Sequence, residues 1–211
     1  MNIPHPRALQ LEALSERILR DVSTEAWLEL FTQPYTRRVH FHSLTGTILC
    51  VRAAPGAEVD HEAAVDIMLA AREHGGTCDL LKCGTALVCF EDAASAFQAA
   101  RLIQELPGGR RFQVGLAHGA CDVSLVHLRG TSRQVLLGEA VELAQSIADM
   151  APAGSIRICP RLSEGLQGDI DALAGWLVAT EIDAEGVSTV SLAMTPRAND
   201  MLSSFAGLGL T

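Results

Sequence analysis

The sequence predicts an α+β fold: a ferredoxin-like core of order βαββαβ, followed by additional strands and preceded by an N-terminal helical segment. Three observations carry this expectation. Apolar residues switch between continuous or alternating runs and helical spacing several times along residues 46–194. Breakers stand between the segments, at Ala54-Pro55-Gly56, His74-Gly75-Gly76 and Pro107-Gly108-Gly109. No long linker or low-complexity tract divides the chain.

In order, residues 8–31 read as one or two amphipathic helices. Leu11, Leu14, Ile18 and Val22 recur at helical spacing, Trp27, Leu28 and Phe31 follow a break at 21–24, and Pro34 ends the run. Thr47–Val51 is a continuous apolar run suited to a strand buried on both faces. Residues 61–73 return to helix, with Val65, Met68, Leu69 and Arg72 on one side, and His74-Gly75-Gly76 stops it. Thr77–Lys82 and Ala86–Phe90 form a hairpin around Gly84-Thr85. Ala93, Ala96, Phe97, Ala100 and Ile103 mark a second core helix, ended by Pro107. Phe112–His118 and Cys121–Leu128 read as two strands. Val141, Ala144, Ile147 and Ala148 define a third core helix, Ser155–Cys159 a short strand, and Trp176–Ile182 with Val187–Leu192 a final hairpin.

Composition narrows the functional classes. The chain has 211 residues, 48% hydrophobic, and a formal net charge of -9. That charge, with no compensating Lys/Arg run, argues against a nucleic-acid partner, because phosphate contacts need a concentrated basic surface. No apolar stretch nears the roughly 20 residues that span a bilayer, and the start lacks the pattern of a secretory signal, so a cytoplasmic address is expected. The six cysteines form no CxxC pair; they read as buried reduced thiols rather than zinc ligands or disulfides. His40-Phe41-His42 puts two imidazoles on one strand face without a third ligand nearby, which reads as a half-exposed edge strand. His118 and His127 read as structural. No Gly-x-Ser-x-Gly elbow supports a hydrolase.

Three stretches, taken together, resemble the class III adenylate/guanylate cyclase family. His74-Gly75-Gly76 with Gly84–Phe90 is similar to the family's helix-stop glycines and its hairpin ending in Phe. Phe112–Gly119 resembles the "vriGihtG" strand. Leu137–Ala144 is similar to "iGxxVNxAxR", and Ala153–Ile158 to "aGxIxvS". The resemblance implies a cyclase-homology domain over residues 36–196, an N-terminal helical extension over 1–35 and a tail over 197–211. It also implies a homodimer or pairing with another cyclase-like chain.

It does not imply the chemistry. Family members close a ribose hydroxyl onto the α-phosphorus with two metal ions held by two Asp residues, and such hard cations need carboxylate ligands. Matching the motifs puts Arg52 at the first Asp position and Thr85 at the second. The ribose-orienting Asn matches Glu142, the transition-state Arg matches Ser146, and the purine-reading Asp or Thr matches Val135. The purine-reading Lys falls on Leu81, or on Lys82 if the hairpin register shifts by one. Between Arg52 and Gly75 there is room for one helix and a turn, where the family has two helices, one of whose starts cradles phosphates. The expectation is therefore a pseudoenzyme with no catalytic residues, no metal and no cofactor, in which nucleotide binding is possible but not expected. Asp60, Asp66 and Asp79 are the acids an atypical active cyclase would have to recruit.

Overall fold

The computed structural model describes residues 6–21, 39–80, 85–128, 131–173, 175–182 and 188–194. Their order is α1 (Pro6–Asp21), β1 (Val39–Ala53), α2 (His61–Glu73), β2 (Thr77–Leu80), β3 (Thr85–Phe90), α3 (Ala93–Glu105) and, after a single 3₁₀ turn, β4 (Phe112–Leu128). Then follow β5 (Thr131–Leu137), α4 (Glu139–Met150), β6 (Ser155–Ile158), the short α5 (Pro160–Gly165) and α6 (Gln167–Asp171), β7 (Trp176–Ile182) and β8 (Ser188–Met194). The predicted βαββαβ core is present, running from β1 through α2, β2, β3 and α3 to β4. All eight strands join one sheet of order β2-β3-β1-β4-β6-β8-β7, with β5 pairing β4 off that path. Only the β4–β6 pairing is parallel among the described strands.

Helices cover both faces. Gly115 on β4 lies directly beneath α4: a Cβ there would stand 2.3 Å from the Ala144 carbonyl oxygen and 2.5 Å from the Ala148 nitrogen. Cys50 and Leu87 share that face, because Gly115 opposes Cys50 and Cys50 opposes Leu87 across antiparallel pairs. α2 and α3 pack together on the other face. There Val88 and Phe90 of β3 meet the end of α2, and the two glycines after α2 do different work. Gly75 takes a left-handed turn (φ +77°), and its N–H and that of Gly76 donate to Arg72 and Ala71 carbonyls at 3.0 and 2.8 Å, the Schellman arrangement. Gly76 is needed for space, since a Cβ there would lie 2.5 Å from Val88 Cγ1 and 2.7 Å from the Phe90 ring.

Several expectations are corrected. The helix over 61–73 forms, but its buried side is Ala63, Ile67, Ala70 and Ala71, while Leu69 is 58% exposed. Small alanines let α2 sit close to the sheet and to α3, and that closeness decides the face. The strand at 47–51 extends to Val39–Ala53, and the two strands foreseen at 112–118 and 121–128 are one continuous β4. Gly119-Ala120 does not turn the chain, because Gly119 and Ala120 pair with Gly46 and Thr45 in unbroken register. β5, α5 and α6 were not foreseen. The second half of the N-terminal helical run and the hairpin tip at 81–84 lie outside the described residues.

The N-terminal halves of β1 and the C-terminal halves of β4, with β5, extend the sheet as a three-stranded arm. α1 contacts β5, Leu14 and Arg17 on it are buried, and Gln10 donates to Ser43 Oγ at 3.4 Å. The first helix thus packs on its own domain. No helix among the described residues is long and apolar enough to cross a membrane.

Candidate functional site

β1 runs apolar and fully buried from Ile48 to Val51 and then emerges at Arg52, which stands opposite Thr85 on β3 and opposite Gln113 on β4. The two positions singled out by motif matching, Arg52 and Thr85, are therefore direct cross-strand neighbours. Both lie on the α4 face of the sheet, since Gln113 is two residues from Gly115.

What this face grips is the C-terminal turn of α4. The Arg52 guanidinium is ion-paired with Asp149, with 38% and 51% of the two side chains exposed. Gln113 Nε2 donates to the Ala151 carbonyl. Arg157 on β6, opposite Gly115, donates to the Met150 carbonyl at 2.9 Å and pairs with Glu181 on β7. Three side chains from three neighbouring strands thus hold one helix end. Two of them are cationic, where orphan carbonyls and the negative pole of the helix favour positive charge. Thr85 is buried at 8% exposure.

The remaining candidates are distributed as follows. Glu142 and Ser146 lie exposed on α4. Val135 on β5 is buried, opposite the fully buried Ser124, so a purine edge has no open access to it. Leu81 and Lys82 lie outside the described residues. Among the described residues no group of three or more His, Cys, Asp or Glu side chains could hold a metal ion. His40 and His42 are exposed on the arm, where β1 has a partner on one side. His118 Nδ1 lies 3.0 Å from Thr47 Oγ1.

One helix follows β1, and its start is already occupied. Asp60 caps α2, its Oδ1 accepting from the Ala63 N–H at 2.8 Å and its Oδ2 accepting from Arg111 at 3.2 Å. The N–H donation from Ala63, reinforced by Arg111, holds the Asp60 carboxyl below its ordinary value. The Asp60 carboxylate thus caps this helix start and is paired with Arg111. Sequence reasoning missed Asp149 and Gln113. The signal available was a charge pair between a strand-end Arg and the last turn of an amphipathic helix, which becomes meaningful only once α4 is known to cross over β1.

On the other flank of α4 there is an open cavity of about 410 Å³ between His118 and Ala120 of β4, Glu139 and Leu143 of α4, and Pro160 and Arg161 of α5. None of Arg52, Thr85, Val135, Glu142 and Ser146 lines it.

No protein-family model matches the chain, and no curated protein matches it in sequence. Solved structures do. The adenylyl cyclase CyaB from P. aeruginosa superposes with a TM-score of 0.57 at 15% identity, over 75% of this chain and 98% of that one. A non-canonical dimeric guanylyl cyclase domain of the RhoGC fusion protein from the aquatic fungus Blastocladiella emersonii gives 0.57 at 12%, over 74% and 98%. The guanylate cyclase domain of RhGC from Catenaria anguillulae, in complex with GTP, gives 0.54 at 11%, over 74% and 99%. The fold is that of the class III cyclase catalytic domains. Within this cyclase-like fold, Gly75 and Gly76 end α2, β2 and β3 pair antiparallel, and α4 packs on β4.

Proposed function

We propose that this chain is a catalytically silent cyclase-like domain that works by association, as a regulatory or scaffolding dimer, either with itself or with another cyclase-like chain. The observation that carries the reading is the Arg52–Asp149 ion pair beside a buried Thr85. In the matched positions a cation and a neutral hydroxyl stand where two carboxylates would hold metal, and the acid Asp149 beside them is ion-paired with that cation. The self-capped start of α2 supports it, as does exposed Glu142, whose charge repels a triphosphate. Loss of each metal or transition-state contact commonly costs several kcal/mol, about 10²-fold or more in rate. In this reading residues 36–196 form the domain, 1–35 and 197–211 flank it, and the protein is cytoplasmic. A non-canonical dimeric fungal guanylyl cyclase domain of the same fold is a precedent for pairing.

A second reading rests on Arg52 itself. Its guanidinium is partly exposed, and exchange of Asp149 for a phosphate would make a metal-independent nucleotide sensor. Purified protein with ATP or GTP and Mn²⁺ should give no cyclic nucleotide. Thermal-shift titration separates the readings, since a ligand that binds only the folded state raises the melting point. No shift supports the scaffold, a metal-independent shift the sensor, and cyclic product with a metal-dependent shift overturns both.

A further inference from the structure

β4 loses its outer neighbour partway along, and the open cavity beside α4 lies where it does. On that side β4 pairs with β6 from Gln113 to Leu116 and with β5 from Asp122 onward. The Leu116 carbonyl accepts from the Cys159 N–H at 3.0 Å, and the chain then leaves through Pro160 into α5. At the other end Gly138 stands over Ala120, since a Cβ on it would lie 3.3 Å from the Ala120 carbonyl oxygen. His118 lies between. Backbone groups alternate sides along an antiparallel strand, so its N–H and C=O turn outward as those of Leu116 do. Among the described strands none pairs with them there. In open α/β sheets ligands bind at such crevices, beyond a strand's carboxyl end where neighbouring connections part.

The cavity, of about 410 Å³, is at the lower end of the size range of small-molecule sites. Its walls carry one charge of each sign: Glu139 in the first turn of α4 and Arg161 in α5. Both are exposed, and among the described residues neither side chain makes an ion pair with the other or with a third group. Opposite charges that line one cavity without meeting can be bridged by a ligand that carries both. The rest of the lining includes the apolar Ala120, Ala140, Pro160 and Leu143, the last 41% exposed.

We propose that this cavity binds a small zwitterion with an apolar side group, of the class of a free aliphatic α-amino acid. Its carboxylate pairs with the Arg161 guanidinium, its ammonium with Glu139, and its hydrocarbon group covers Leu143 and Pro160. The His118 N–H and C=O supply a backbone donor and acceptor beside the two charges. The same lining selects against simpler ions. A plain anion meets Glu139, and an amine without a carboxylate leaves Arg161 unmatched. The site shares no residue with Arg52 and Thr85, so it stands whether or not those positions are silent.

The test titrates the full chain with L-leucine by isothermal calorimetry. Leucinamide, which lacks the carboxylate, isocaproate, which lacks the ammonium, and glycine, which lacks the side chain, are titrated alongside. Saturable binding of leucine is expected, with each analogue weaker by about tenfold or more. Glu139→Gln and Arg161→Gln should each weaken leucine by a similar factor and leave the far-ultraviolet circular dichroism unchanged, because both positions are exposed. Glu62→Gln, exposed on α2 across the sheet, should bind as the natural chain does. The proposal is overturned if leucine fails to saturate the chain at about 10 mM, if the analogues bind as well as leucine, or if neither charge variant weakens it.

Discussion

Arg52 and Asp149 join the end of the central strand β1 to the last turn of α4. With both side chains more than a third exposed, the pair itself stabilises by about 0–1 kcal/mol. Its importance lies in position rather than strength. It sets a neutralised cation beside Thr85, its cross-strand neighbour, and it acts with Gln113 and Arg157 to fasten a helix end that would otherwise present free carbonyls.

On the proposed reading, placing carboxylates at both positions should not create turnover. In the double variant Arg52→Asp, Thr85→Asp, three acids including Asp149 crowd one end of the sheet, and their repulsion should lower stability by about 1–3 kcal/mol. Mn²⁺ or Mg²⁺ should then raise the melting temperature of the variant by several degrees and leave the natural chain unmoved. Cyclic nucleotide should remain absent in both, because Glu142, Ser146 and the Asp60-capped start of α2 are unchanged. Differential scanning fluorimetry with a cyclic-nucleotide immunoassay decides it; product from the double variant would show that two acids are sufficient.

How far the sequence foretells this molecule depends on where the information is local. The core strands 48–51 and 86–90 are apolar on both faces and were legible, as were the three core helices and the last hairpin. Thr131–Leu137 was not, because its first four residues are polar and hide the strand, although it pairs locally with the end of β4, Leu128 opposite Thr131. The continuity of β4 was hidden by Gly119-Ala120, which reads as a turn but pairs in register with Gly46 and Thr45 of β1. Of the candidate site, motif matching singled out Arg52 and Thr85, and the structure pairs them across β1 and β3. Asp149, Gln113 and Arg157 were not singled out, since what gathers them is the crossing of α4 over three strands.

The correction to the α2 face has a measurable consequence. Ile67 is 1% exposed and Leu69 58%. Ile67→Ala should cost about 2–4 kcal/mol through lost burial and an unfilled cavity, whereas Leu69→Lys should stay within about 0.5 kcal/mol. Urea denaturation of the two variants checks this. Similar losses from both would put Leu69 against a partner surface.

Acid should act through the helix caps. Asp60 accepts from the Ala63 N–H and Asp92 from the Ser95 N–H, at 2.8 and 2.7 Å, and these bonds lower both carboxyls in the folded chain. A depressed folded value contributes stability above the unfolded value of about 3.9 and loses it as pH falls through the folded values. The melting temperature should thus decline from about pH 4 downward. Asp60→Asn with Asp92→Asn keeps the caps but removes their titration, so the acid slope of the double variant should be shallower. An unchanged slope would place the acid sensitivity in other carboxylates.

Gly115 gives the sharpest test of how α4 is seated. Its missing side chain lets the helix backbone rest on the sheet, and an added methyl would meet backbone atoms of Ala144 and Ala148 rather than a side chain able to swing aside. Gly115→Ala must therefore push α4 outward, and such overpacking costs about 1–3 kcal/mol or more. Displacement of α4 would also strain the Gln113, Arg157 and Arg52 contacts at its far end, so Arg52→Ala should cost less in the Gly115→Ala background than in the natural chain. A double-mutant cycle by chemical denaturation measures that coupling. Strict additivity would mean that α4 tilts about its C-terminal clamp instead of lifting from it.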